Sequence, residues 1–153
     1  MKIEKLLKTS SNLPLSKKVV VNILYTYGIV NGKLNDVLKP YDISIQQFNV
    51  LRILRGQNGK PASLSTVQER MINNMSNTTR LIDKLIKKRY VEKEINQTNK
   101  RKIDIIITNQ GTDFLNEIDN LIDSTEKDIV NSLSKDETLE LIRLLGKLRL
   151  IAN

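Results

Sequence analysis

Apolar residues from Val19 to Leu38 recur at spacings of three and four: Val19, Val20, Ile23, Leu24, Tyr27, Val30, Leu34 and Leu38. That period predicts a long helix, opened at Ser16 and stopped by Pro40. Gly28 and Gly32 lie inside it, each costing about 1 kcal/mol relative to alanine. They mark either a close helix contact or a bend. Ahead of it, residues 2–8 predict a short amphipathic helix with Ile3, Leu6 and Leu7 on one side. Turn-forming residues from Thr9 to Pro14 end that helix.

Further on, Ser44-Ile45-Gln46-Gln47 is a capping box, with serine at the N-cap and glutamine three residues later. The helix it opens carries Phe48, Val50, Leu51 and Leu54 and ends at Arg55-Gly56. After a loop from Gln57 to Pro61, Ser63 caps a short helix, about Leu64–Met71, with Leu64, Val67 and Met71 turned inward. A three-residue turn, Ile72-Asn73-Asn74, leads to a second helix, Met75–Lys88. Its buried side is Leu81, Ile82 and Leu85. Its outward side is polar at the start and basic at the end: Ser76, Asn77, Thr79, Arg80, Asp83, Lys84, Lys87 and Lys88.

The period then changes from 3.6 to 2. Residues Tyr90 to Ile95 alternate like a half-buried strand, and Ile103 to Ile107 form the returning strand. The run Ile105-Ile106-Ile107 implies cover on both faces. Between them lies a basic turn from Asn96 to Lys102. Thr108 caps a long helix from Asn109 to about Leu133, roughly 35 Å in length. Its stripe is Phe114, Leu115, Ile118, Leu121, Ile122 and Ile129. Ser134 and Glu137 form a second capping box. The helix they open is apolar on several sides, at Leu139, Leu141, Ile142, Leu144, Leu145, Leu148, Leu150 and Ile151. One domain of this size cannot cover so much surface, so a second copy of the chain is the expected cover.

The predicted fold class is mainly α with a small β-hairpin wing (α+β). A winged helix-turn-helix at about residues 43–108 sits between long terminal helices, about 1–39 and 109–153, in a single domain. A length of 153 residues suits that plan. With two phenylalanines, four tyrosines and no tryptophan, the core must be built from Leu, Ile and Val.

Composition removes most chemistry. There is no cysteine and no histidine. Disulfides, thiolate metal sites, cysteine nucleophiles and histidine bases are therefore excluded. The carboxylates Asp113, Glu117, Asp119, Asp123, Glu126 and Asp128 lie on the polar side of an amphipathic helix, where solvation explains them. No G-x-G-x-x-G, phosphate-binding loop or nucleophile elbow is present. The expectation is no cofactor, no metal and no enzyme activity. The first eight residues lack the apolar core of a signal peptide. No apolar run approaches the ~18 residues that span a bilayer. A cytoplasmic protein with no membrane partner is expected.

Charge points to a partner. Residues 1–75 carry 11 Lys/Arg against 4 Asp/Glu, residues 76–104 carry 9 against 4, and residues 105–153 carry 5 against 9. The net charges are +7, +5 and −4, within a total of +8. Positive charge gathers on the helix-turn-helix and the segment before it, as double-stranded DNA requires. Major-groove readers carry short polar or guanidinium side chains where the helix enters the groove. Ser76, Asn77, Thr79, Arg80 and Lys84 meet that description. Asn77 suits adenine, Arg80 suits guanine, and Ser76 and Thr79 suit phosphates or base edges. Lys100, Arg101 and Lys102 place three cations on a hairpin tip, suited to phosphate or to a narrow minor groove. Solvated helix faces and a blunted edge strand are the competing explanations. A protein-interaction adaptor and a non-specific nucleic-acid-binding protein are the alternatives in function.

Residues Ile43 to about Ile122 resemble the MarR family, the multiple-antibiotic-resistance regulators. The resemblance rests on Ile43-Ser44-Ile45-Gln46-Gln47-Phe48-Asn49-Val50-Leu51, on Gln68-Glu69-Arg70-Met71, on Ser76 to Leu85, and on Ile107-Thr108-Asn109-Gln110-Gly111. It implies a winged helix-turn-helix homodimer, joined by its terminal helices, that represses or less often activates transcription. It also implies a small aromatic or phenolic ligand that shifts the spacing of the two DNA-reading lobes. Tyr25, Tyr27 and Arg52, around a cleft between the long first helix and the Phe48 helix, are candidates to meet an aromatic acid. Packing and surface charge explain those residues equally well. Two positions depart from the family pattern. Asn99 stands where an aspartate usually precedes the wing arginine, here Arg101. Arg89 stands where glycine usually follows the recognition helix, so it must avoid the left-handed conformation or be strained in it.

Overall fold

The computed structural model describes residues 3–8, 13–73 and 75–152. The expected turn at Thr9 to Asn12 and the turn residue Asn74 lie outside the described residues. The order is α1 (Ile3–Leu6), α2 (Leu15–Leu38), a 3₁₀ turn (Lys39–Tyr41), α3 (Ile45–Arg55), β1 (Ala62–Ser63) and α4 (Leu64–Arg70). It continues with α5 (Thr78–Lys87), β2 (Val91–Ile95), β3 (Ile103–Ile107), α6 (Asn109–Val130), α7 (Lys135–Leu148) and a final 3₁₀ turn (Arg149–Ala152).

Most boundaries follow from caps visible in the chain. Ser44 accepts from the Gln47 backbone N–H while the Gln47 side chain accepts from the Ser44 N–H, at 3.2 and 2.9 Å. Ser134 and Glu137 repeat the arrangement. Thr108 caps α6 by accepting from the Gly111 N–H at 3.0 Å. Helix α2 starts one residue before Ser16, with Pro14 at its N-cap.

The core gathers where α3, α5, α6 and the sheet meet. Leu51, Leu54, Val67, Ile82, Leu85, Val91, Leu115 and Ile118 are essentially inaccessible there. Phe114 of α6 stacks on Tyr90 at 4.8 Å and meets Tyr41 edge-on at 5.6 Å. These rings tie the 3₁₀ turn, the start of the wing and α6 together. Arg55 of α3 holds Asp119 of α6 through two hydrogen bonds of 2.6 and 3.1 Å.

The structure departs from the expected pattern in four places. The sheet has three strands in the order β1-β3-β2, all antiparallel. The two-residue strand β1 is too short to show a period in sequence. Leu64, expected inward, is exposed, because it opens α4 at the edge of the sheet. Of the isoleucine run only Ile105 is buried. Ile106, which pairs with Glu92 on the opposite face, and Ile107 are half-buried. Finally, α5 starts at Thr78 rather than Met75. The Asn73 side chain accepts from the Met75 N–H and its carbonyl from the Ser76 N–H, so the turn runs longer than three residues.

Two helices show apolar faces to solvent. In α2 only Leu38 is buried, while Val19, Val20, Leu24, Tyr27 and Ile29 are exposed. In α7 no residue is buried, and Leu139, Leu141, Ile142, Leu144, Leu145 and Leu148 are all exposed. A Cβ built on Gly28 or Gly32 meets nothing within 4 Å. Neither glycine therefore serves a contact within the described residues. No helix among them is long and apolar enough to cross a membrane.

Candidate nucleic-acid interface

The candidate surface is assembled on α5. Asn77 is its N-cap and accepts from the Arg80 backbone N–H at 3.1 Å. That bond uses one of the two lone pairs of the amide oxygen, and leaves the other and the NH₂ group for an external partner. Thr78 is buried, and its hydroxyl donates to the Gln68 side chain of α4. This bond fixes α5 against the preceding helix. The helical period alone placed Thr78 inward with Ile82 and Leu85, yet the sequence reading passed over it. Thr79, Arg80 and Lys84 are exposed, and Ser76 is half-buried in the turn.

The cations of α5 are not equivalent. Asp83 is neutralised by Lys93 of β2 at 2.8 Å. Lys88 pairs with Asp42 at 2.9 Å. The Lys88 ammonium, chiefly by hydrogen bonding, holds the Asp42 carboxyl below its ordinary value. Arg80 and Lys84 make no ion pair among the described residues, although the Lys84 charge also acts on Asp42.

Strands β2 and β3 pair from Val91↔Ile107 to Ile95↔Ile103. The loop beyond is organised by asparagines. The Asn96 side chain accepts from the backbone N–H groups of Thr98 and Asn99 and donates to Asp104. Asn99 accepts from the Arg101 backbone N–H at 3.1 Å. The departure from aspartate thus leaves a hydrogen bond to Arg101, made to its backbone. Lys100, Arg101 and Lys102 are all exposed. A hollow of about 190 Å³ lined by Thr79 and Ile82 of α5 and by Lys93, Ile103 and Ile105 of the hairpin shows that the wing adjoins the flank of α5 that carries Thr79.

Residues 43–103 match the MarR family model. The regulator PecS of Dickeya dadantii, an HTH-type transcriptional regulator, is 29% identical over 122 residues, covering 78% of this chain and 72% of PecS. Over that span the chain is similar to the MarR family of regulators. Its winged helix-turn-helix is the fold shared by that family of transcription regulators, which are not enzymes. The crystal structure of a putative MarR-like transcription regulator from Bacillus cereus superposes with a TM-score of 0.81 at 26% identity, covering 90% of this chain and 98% of that one. The organohalide-sensing regulator RdhR shares the fold with a TM-score of 0.82 at 20% identity, covering 90% of this chain and 81% of RdhR.

A second feature of the chain is a cleft of about 290 Å³ between α2 and α3. Tyr27, Val30 and Leu34 line it from α2, and Phe48 and Arg52 from α3. The Arg52 guanidinium lies 5.7 Å from the centre of the Phe48 ring. Tyr27 and Arg52 are therefore brought together as expected, whereas Tyr25 does not line the cleft. The turn residues Met71, Ile72 and Asn73 form its far wall, a neighbour the sequence reading did not name. The acidic face of α6 gathers no candidate metal cluster among the described residues.

Proposed function

We propose that this chain is a sequence-specific DNA-binding repressor, working in the cytoplasm as a homodimer on a pseudo-palindromic operator. One observation carries the reading: Arg80 and Lys84 stand exposed on the outer face of α5, without an ion pair among the described residues, beside Asn77 and Thr79, with a cationic wing adjoining. Asn77, Thr79 and Arg80 meet base edges at the helix start, with Ser76 and Lys84 on phosphates. Lys100, Arg101 and Lys102 reach the neighbouring backbone or minor groove.

The uncovered faces of α2 and α7 support the dimer. Apolar surface of that extent is costly in water, and a second copy removes it. Dimerisation sets two copies of α5 in successive major grooves, about 34 Å apart. The test is selection of bound duplexes from a random pool. A consensus of two inverted half-sites about one helical turn apart is expected. Enrichment without symmetry would remove the dimeric operator, and no enrichment would leave only charge-driven binding.

The cleft supports an effector. It is mainly apolar, carries one guanidinium (Arg52) and one carboxylate (Glu126), and joins the dimer arm α2 to the turn that leads into α5. RdhR has been solved in a 2,4-dichlorophenol-bound form. A small aromatic acid or phenol in the cleft of this chain would bear on α2 and on the α4–α5 turn together, and so shift the spacing of the two DNA-reading lobes.

A further inference from the structure

Two isoleucines of the wing stay largely exposed, although Ile103 borders the hollow that Ile82 and Ile105 line. Ile95 and Ile103 face each other at the end of the β2–β3 ladder. They are 69% and 55% exposed. Side chains on one face of a strand recur every second residue. Ile95 and Ile103 therefore share the face that carries Val91 and Ile105 into the core. Near its root that face is covered, and towards the tip it is bare. A cross-strand β-branched pair does steady a hairpin, but a threonine pair does so as well without leaving apolar surface in water.

The surroundings identify the occupant. Ile103 shares its hollow with Thr79 of α5, so the pair lies beside the helix face that bears Arg80. On its other side the loop carries Lys100, Arg101 and Lys102, all exposed and without acidic partners among the described residues. An apolar strip bordered by cations complements a groove with deoxyribose walls and phosphate rims. Isoleucine is among the side chains that proteins insert there.

Resting on the DNA-binding reading above, we propose that Ile95 and Ile103 enter the minor groove next to the major groove read by α5, and that they select against G·C pairs at the steps they touch. A·T pairs show only acceptors on the floor of that groove, whereas guanine adds its N2 amino group. That group projects into the path of an apolar side chain and would lose its water without gaining an acceptor. A·T tracts also narrow the groove, so that its walls close on a small apolar pair.

The experiment uses the operator selected by the full chain and locates the wing by the deoxyriboses it protects from hydroxyl radicals. At those steps three duplexes are compared: A·T, G·C, and inosine·C, which keeps the major-groove edge of guanine but lacks the N2 amino group. The wild-type chain should bind the G·C duplex about tenfold more weakly, in the range of single base-pair penalties, and inosine should restore affinity. Ile95→Thr/Ile103→Thr should bind all three alike, and Ile95→Val/Ile103→Val should retain the discrimination. Arg101→Ala should weaken all three and lower the salt dependence while keeping their order. Equal weakening by G·C and inosine·C, or discrimination that survives the threonine pair, would overturn the proposal. So would discrimination lost only with Arg101. A wild-type chain that selects no sequence at all would instead overturn the reading beneath it, and the proposal with it.

Discussion

The backbone carbonyl of Tyr90 occupies the space that a Cβ on Gly111 would need. Tyr90 begins the wing and Gly111 lies in the first turn of α6, which leaves it. The same carbonyl accepts the Thr108 N–H at 3.1 Å, and the Thr108 hydroxyl donates to the Arg89 carbonyl at 2.7 Å. The two ends of the wing are thus clamped backbone to backbone, and a hydrogen atom is the only side chain the clamp admits.

Gly111→Ala should therefore destabilise the chain, although alanine is the better helix former. The neighbours are a carbonyl group and the Ile107 Cγ1 atom, which would lie 2.9 Å from the new methyl. Overpacking of this kind costs about 1–3 kcal/mol. For a chain of this size each kcal/mol lowers Tm by about 2–4 °C. Thermal unfolding at fixed protein concentration checks it, and an unchanged or higher Tm would show that the clamp relaxes freely.

Arg89→Gly should do the opposite. Arg89 has φ of 60°, in the left-handed region where a Cβ is strained by roughly 1–2 kcal/mol. Its side chain is exposed, so little packing is lost on removal. A gain of about 1 kcal/mol is expected from thermal unfolding. If Arg89 also holds a phosphate, the same variant should lower affinity for all DNA sequences and reduce the salt slope by about one. A more stable variant with unchanged salt slope would assign Arg89 no part in binding.

These two positions show what was legible in the chain. Capping boxes at Ser44 and Ser134 and the stripe on α6 act over one or two helical turns; the structure repeats the caps and buries Phe114, Leu115, Ile118 and Ile122 of the stripe, while Leu121 is exposed and Ile129 half-buried. The start of α5 was misplaced because Asn73 and Asn77 compete as caps, and only the hydrogen bonds decide between them. Strand β1 pairs with β3 across some forty residues, so its two residues carry no local signal. The strain at Arg89 was foreseeable from the family pattern; that it is borne rather than avoided required the dihedral. The apolar tip of the wing was in plain view as strand residues. Its exposure depends on how far the covering elements reach along the hairpin, which no local pattern states.

Arg80→Ala and Lys100→Ala should separate sequence reading from charge. Arg80 is on the first full turn of α5, exposed and without an ion pair among the described residues, whereas Lys100 stands on a loop tip. Loss of a guanine contact costs about 1–3 kcal/mol and relaxes specificity at one base pair. Loss of a phosphate contact weakens every sequence similarly and reduces the salt slope by about one. Affinities for operator and random duplexes at several salt concentrations check both. Equal losses on the two duplexes for Arg80→Ala would move it from base reading to phosphate binding.

The cleft yields the last prediction. Arg52 lies over the Phe48 ring on one wall, and Tyr27 stands on the other. A ligand ring fits between apolar surfaces; among the cleft's lining residues Arg52 is the one cation and Glu126 the one carboxylate, and Arg52, held over the Phe48 ring, is the group that would meet a ring-borne acid. Carboxylate-bearing aromatics should therefore bind better than neutral phenols of the same size. Calorimetry with phenolic acids should show heat for the wild-type chain, and Arg52→Ala should lose about 1.5–3 kcal/mol for the acids, the range of a charged hydrogen bond. Neutral phenols should be affected far less. Because Met71, Ile72 and Asn73 close the far wall, ligand binding should also change operator affinity, and Arg52→Ala should abolish that change for acids while leaving ligand-free DNA binding intact. Heat without any shift in DNA affinity would make the cleft a binding site uncoupled from α5. An Arg52→Ala variant that responds to acids as the wild type does would place the effector elsewhere.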